Sequence, residues 1–427
     1  MALDLLAKKL ENFQYAVARD LYEVHTGLRE RTCIPDIYRE YSYLFNTDQI
    51  KNALDKAQTL AKLGDRRYLP VTSALIKEYL ISHVQVPQAE LAYYRATTKV
   101  VINEESMTLR SAQSRMLVES NREIRRQLFN VVGEAVNRVL NPILLQMYRE
   151  LDELAKNVGN LHYLQLCDEV RVLRLNDFVP EIYNLLDNTY QFYFDSLAKI
   201  AQQELNLPVK SLERSDAFEL WRLNRFSSYF SHEASTGILH KVLTTLGIDD
   251  LFANVRVETR KAEKSVRSFC YPIDIPNEIV LILGLRGRPD DYRILFHEVG
   301  HALHLSGIPA SIPPWDRRWG DPSLSEAYAF LFENLLMDKK FVSQYLGLHD
   351  PEYLNISKTN RLYLIRLFAA KAIWEIKYHN VKDLDIAIQG WASIVTTATG
   401  FQNNGTTAFL DREFFLNSVT YLRSWIL

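Results

Sequence analysis

The stretch YRILFHEVGHALHL, residues 292–305, reads as a single apolar-rich helix and carries HEVGH at 297–301. His297 and His301 stand at i and i+4, one turn apart on the same helix face. Their imidazoles can converge on one tetrahedral zinc ion, which takes nitrogen ligands at about 2.0–2.1 Å. Glu298, beside the first histidine, reaches the water activated at such a metal rather than the metal itself, the HExxH arrangement of zinc hydrolases. Two histidines and a glutamate on a buried helix have no evident structural purpose without a cation to pair them.

A catalytic zinc usually takes three protein ligands and keeps one position open. The extended pattern HExxHxxGxxH is excluded: His304 stands where glycine is needed and Gly307 where histidine is needed. The third ligand is then expected from the next helix, which should run from about Ser325 to Tyr345. Glu326 and Glu333 are seven apart (333 − 326) and share a face there. Glu326, 25 residues past His301 (326 − 301), is the expected third ligand. Its structural alternative is a capping box with Ser323, in the S-x-x-E pattern. Glu333 is a candidate to hold a ligand histidine in its tautomer, with a surface or buried structural acid the equal alternative, and His304 is expected to be a packed core histidine.

Outward from this centre, VRSFCYPIDIPNEIVLILG (266–284) combines two prolines with a β-branched run and predicts a hairpin or a pair of short strands. GRPDD (287–291) reads as a turn. The first 265 or so residues read as helix after helix, with long amphipathic segments at 106–140 and 177–206. Asn141 is the expected N-cap, Pro142 the first residue, and Lys156 and Gly159 the C-terminal end of another helix. From 359 the chain is again helical, broken near 398–411. Residues 1–265 are therefore expected to form a helical wall and 266–427 the metal-binding region of one continuous two-lobed fold.

The 427 residues are 47% hydrophobic and 24% charged with a net charge of −2, the values of an ordinary globular chain with a substantial core. No basic block points to nucleic acid. Three scattered cysteines, Cys33, Cys167 and Cys270, exclude a disulfide framework and a CxxC site. Charged residues interrupt MALDLLAKKLENFQYAV, which reads as an amphipathic helix rather than a signal peptide. With no apolar run of membrane-spanning length, a cytoplasmic location is expected.

HEVGHALH, followed by SEAYAFLFENLL (325–336), resembles the thimet oligopeptidase and oligoendopeptidase F family of gluzincin peptidases, and SFCYPIDIPNEIVLIL is similar to that family's strand region. The clear resemblance covers about 266–340. It implies a mainly α, large helical peptidase fold with a small β-sheet beside the HExxH helix and a deep substrate channel. Carried over by position, it implies His297, His301 and Glu326 as ligands of one zinc ion per chain, Glu298 as catalytic base, and short peptides as substrates. The edge strand would pair with the extended substrate backbone. The family's tyrosine- and histidine-rich C-terminal segment departs here. VTYLRSW (419–425) is nearest, with Tyr421 in the oxyanion-stabilising role and Tyr378 and His379 as rivals. The family usually continues past this segment, whereas this chain ends at Leu427, as either a truncated chain or a short relative would. Arg423 is a candidate for a substrate carboxylate, with a surface arginine the commoner alternative. A carboxypeptidase similar to the thermostable Taq family, and a silent zinc-stabilised scaffold, are the rival readings; self-association is left open.

Overall fold

The computed structural model describes residues 3–171, 174–259, 268–284, 287–379, 381 and 383–427. Helices dominate, packed around a single large apolar core that runs from Leu6 to Leu422. None of the described helices is long and apolar enough to cross a membrane.

The five described strands form two small sheets. β1 (Lys99–Ile102) and β2 (Glu105–Thr108) make an antiparallel hairpin inside the stretch expected to be all helix. Asn103 and Glu104, at φ of 47° and 67°, supply its two-residue turn, a left-handed pair that Asn tolerates well. Four-residue strands are too short for their alternation to stand out from a helical background. β3 (Val255–Thr259), β4 (Phe269–Asp274) and β5 (Glu278–Leu283) form the second sheet in the order β3-β5-β4. β5 runs parallel to β3 and antiparallel to β4. The expected strand pair in 266–284 is thus present. The boundary drawn between 265 and 266 falls outside the described residues, and β3 before it pairs with β5 beyond it.

The N-terminal helix Leu3–His25 crosses onto this sheet. Its Tyr22 packs with Tyr271, Ile273, Val280 and Ile282, and the His25 Nδ1 pairs with the Tyr271 hydroxyl at 2.6 Å.

Several helix ends differ from expectation for identifiable reasons. Asn141 caps nothing: a π segment, Val136–Leu140, runs directly into the helix Asn141–Gly159. Pro142 has no N–H for the Arg138 carbonyl, and the widened turn absorbs that loss. The Asn141 amide instead donates to Asn137 Oδ1 and to the Thr406 carbonyl, both at 3.0 Å. The segment 177–206 is two helices, Leu175–Asn188 and Tyr190–Leu205, broken at Thr189. In GRPDD only Gly287 and Arg288 lie outside the helix. Pro289 starts it, and Asp291 accepts from the Arg288 N–H at 3.1 Å. The expected Ser325–Tyr345 helix divides at Asp338, whose carboxylate accepts from Phe341 N–H and starts a new helix, Lys339–Leu346.

Candidate active site

The motif helix Pro289–Ser306 lies against β4 and β5 on one side and the acidic helix Pro322–Glu333 on the other. The approach to the acidic helix is very close. A Cβ on Gly300 would stand 2.5 Å from the Tyr328 carbonyl oxygen and 2.6 Å from Ala329 Cα. Only glycine lets the two backbones meet there.

That contact brings the predicted residues together. His297, His301 and Glu326 each offer a ligand atom, all within 4.8 Å of one another. Glu326 Oε2 lies 3.5 Å from His297 Nε2 and 3.7 Å from His301 Nε2. This oxygen is buried and has no hydrogen-bond partner among the described residues. Burial pushes the Glu326 carboxyl up to about 7, with the charge of Glu298 adding to the rise and His297 opposing it. A carboxylate oxygen left orphaned between two imidazole nitrogens is the arrangement a cation would satisfy. The donor set of two nitrogens and one carboxylate oxygen, leaving a fourth position open, fits a catalytic zinc ion.

The other ring nitrogens are held in place. His297 Nδ1–H donates to Glu333 Oε2 at 3.0 Å, which leaves the Nε2 lone pair directed to the cluster. Glu333 is 1% exposed and also pairs with Arg293 at 3.2 Å and with Arg361. Burial alone would raise its pKa, but these two guanidiniums and His297 hold it at about 2. His301 Nδ1 pairs with Ser325 Oγ at 2.9 Å. Burial, together with the neighbouring histidines His297 and His304, pushes His301 down to about 3, so it stays neutral and can ligate. Ser325 escaped sequence reading, because a serine before a glutamate carries no signal of its own.

Glu326 is not part of a capping box. Asp321 is the N-cap, accepting from Ser323 N–H at 3.0 Å. Glu298 Oε2 accepts from the Cys270 N–H of edge strand β4 at 2.8 Å, which fixes its carboxylate between strand and motif helix. Burial raises its pKa. His304 stays outside the cluster and stacks on Tyr328, with centroids 4.8 Å apart and planes at 13°.

Tyr421, on the C-terminal helix Asn417–Ile426, packs edge-on to Phe368 at 5.0 Å. Its hydroxyl pKa is raised by burial and by the nearby charges of Glu326, Glu413 and Glu298, so it lies in the electrostatic reach of the cluster. The rivals are committed elsewhere. His379 sits between Asp152 at 2.9 Å and Arg412 at 2.6 Å. Tyr378 fills the space over Gly390. Arg423 is ion-paired with Asp321 and is not a free carboxylate receptor.

A cleft of about 550 Å³ opens onto His301 and Glu326. It is lined by residues of the N-terminal helix and of the helix Tyr68–His83, by the segment leading from Arg318 into the acidic helix, and by Phe415, Asn417, Val419, Thr420 and Arg423.

No protein-family model and no curated protein matches the sequence. Among solved structures, a PZ peptidase A with an inhibitor superposes with a TM-score of 0.56 at 11% identity, covering 100% of this chain and 86% of that one. A protein from Bacillus anthracis str. Ames described as an oligoendopeptidase F gives a TM-score of 0.55 at 14% identity, covering 91% of this chain and 72% of the other. With helices as the bulk, a small sheet beside the HExxH helix and a cleft reaching the cluster, this chain has the fold of the oligoendopeptidase-family peptidases.

Proposed function

We propose that the protein is a zinc-dependent peptidase that hydrolyses peptide bonds in short oligopeptides. The reading rests on one observation above all: the unpartnered Glu326 Oε2 buried between the Nε2 atoms of His297 and His301. These three residues would hold the zinc ion. Bound there, zinc supplies Lewis acidity, lowering the pKa of water toward ~7 and polarising the scissile carbonyl.

The chain's own residues supply the rest. Glu298, seated against the motif helix by the Cys270 N–H, takes a proton from the attacking water and passes it to the leaving amine. Its raised pKa brings it closer to neutral pH, where a base of this kind transfers protons in both directions. Tyr421, protonated at any physiological pH, donates its O–H to the developing oxyanion. Edge strand β4 offers backbone groups to an extended substrate. The cleft, walled by helices from both ends of the chain, admits an unfolded peptide and excludes a folded protein.

The direct test is metal removal. Dialysis against a strong chelator is expected to abolish cleavage of a quenched-fluorescence peptide library, and stoichiometric zinc to restore it; hydrolysis that persists in metal-free protein would end this reading. Tyr421→Phe is expected to lower kcat by about a hundredfold or more, the size expected for one oxyanion donor, with KM nearly unchanged. A kcat within twofold of the parent would remove Tyr421 from the reaction.

A further inference from the structure

The cleft that reaches the cluster is lined by four cationic side chains, Lys77, Arg171, Arg318 and Arg423. Two of them are already employed. Arg423 pairs with Asp321. Arg171 donates to the Phe415 and Leu416 carbonyls and pins the turn that leads into the C-terminal helix.

Arg318 is different. Its Nε donates to Gln14 Oε1 at 3.2 Å, and its Nη2 reaches only the Pro272 carbonyl at 3.4 Å. Its Nη1 is buried with no hydrogen-bond partner among the described residues. Among the described residues no carboxylate pairs with it; Glu11 and Asp274 act on it only from a distance, and burial lowers its pKa. Lys77, in the same cleft, likewise shows no ion-pair partner among the described residues.

The position of Arg318 is nevertheless built. Gln14 Oε1 accepts from Arg318 and also from Trp319 Nε1 at 2.6 Å, while Gln14 Nε2 donates to Glu78 Oε1 at 3.2 Å. Glu78 is fixed further by the Tyr38 hydroxyl at 2.7 Å. The amide therefore cannot flip without losing all three bonds, and its oxygen stays on the guanidinium. A largely buried cation held only by neutral oxygens, with a spare N–H group, is an electrostatic demand still unmet.

Every short unblocked peptide carries an anion of matching geometry, since a guanidinium binds a carboxylate through two parallel hydrogen bonds. We propose that Arg318, assisted by Lys77, receives a carboxylate of the bound peptide, in the first place its free C-terminal carboxylate. This rests on the peptidase reading and names its substrate class: peptides short enough for that carboxylate to enter the cleft together with the scissile bond.

The test uses the zinc-loaded full chain and peptides of one sequence with either a free or an amidated C-terminus. A parallel pair carries Glu or Gln within the peptide. Amidation is expected to raise KM at least tenfold. In Arg318→Gln that ratio is expected to fall toward one, and in Arg318→Lys to keep part of its size. If the Glu/Gln pair carries the ratio instead, the subsite stands and its occupant is a substrate side chain. If the parent handles both members of both pairs alike, the proposal is overturned, and this comparison needs no variant to fold. Calorimetric binding of the same pairs to Glu298→Gln protein reads the preference without turnover, so a failure of hydrolysis alone strikes the peptidase reading and not this subsite.

Discussion

Glu298→Gln protein is expected to purify with a full complement of zinc and with kcat reduced by about 10³-fold or more. The amide has the shape of the carboxylate, and its oxygen can still accept the Cys270 N–H that anchors Glu298 at 2.8 Å. The ligand atoms of His297, His301 and Glu326 are left as they are. What disappears is the ability to take a proton, and general base catalysis is typically worth about 10²–10⁴-fold. The loss is expected in the upper half of that range, because the amide can neither take the proton from the water nor return it to the leaving amine. Metal analysis and single-turnover kinetics on the same preparation check the claim. A variant that holds zinc and turns over within tenfold of the parent would show that another group is the base.

Gly300→Ala is expected to damage the site from outside it. The added methyl would sit 2.5 Å from a backbone oxygen and 2.6 Å from an α-carbon of the acidic helix. Neither is the end of a flexible side chain, so the helices must separate by about 1 Å to restore ordinary contact. Overpacking of this kind costs about 1–3 kcal/mol or more. The acidic helix carries both Glu326 and Glu333, so the displacement withdraws the third cluster residue and the carboxylate that orients His297 together. A shift of that size can cost a factor of about 10² in rate, and zinc affinity should fall in parallel. Gly237→Ala is the control: it also lies in a helix, Ser235–Leu246, but its added methyl meets nothing within 4 Å, so stability should be unchanged or slightly higher. The account fails if Gly300→Ala keeps the zinc affinity and kcat/KM of the parent within twofold.

Much of the centre was legible in the sequence because its signals are local. The i, i+4 histidines share a face by helix geometry alone, and Glu298 adjoins the first of them, so one helix determines that much. The apolar run before the motif predicted the strand pair for the same reason. Legibility ended where a residue's partner is distant in the chain. Nothing near Gly300 announces that the backbone of Tyr328 and Ala329 will press on it. Asp321, not Ser323, begins the acidic helix, because both carry capping chemistry and only the path of the preceding loop selects between them. Arg423, a candidate for a substrate carboxylate beside the commoner reading of a surface arginine, is paired with Asp321, while Arg318, indistinguishable from Arg317 in sequence, has no counter-charge among the described residues.

The sequence by itself determined the helical character, the metal-type motif and the chemical identity of the residues around it, since helix periodicity and side-chain chemistry are properties of short segments. The spacing of the motif and the acidic helix already favoured Glu326 and Glu333; the tertiary structure alone decided that the two backbones meet at Gly300, that Asp321 takes up Arg423, and that Arg318 in the cleft keeps a terminal N–H group without a partner among the described residues. Each of these depends on burial and charge pairing between segments far apart in the chain, and such pairings exist only after the core has closed.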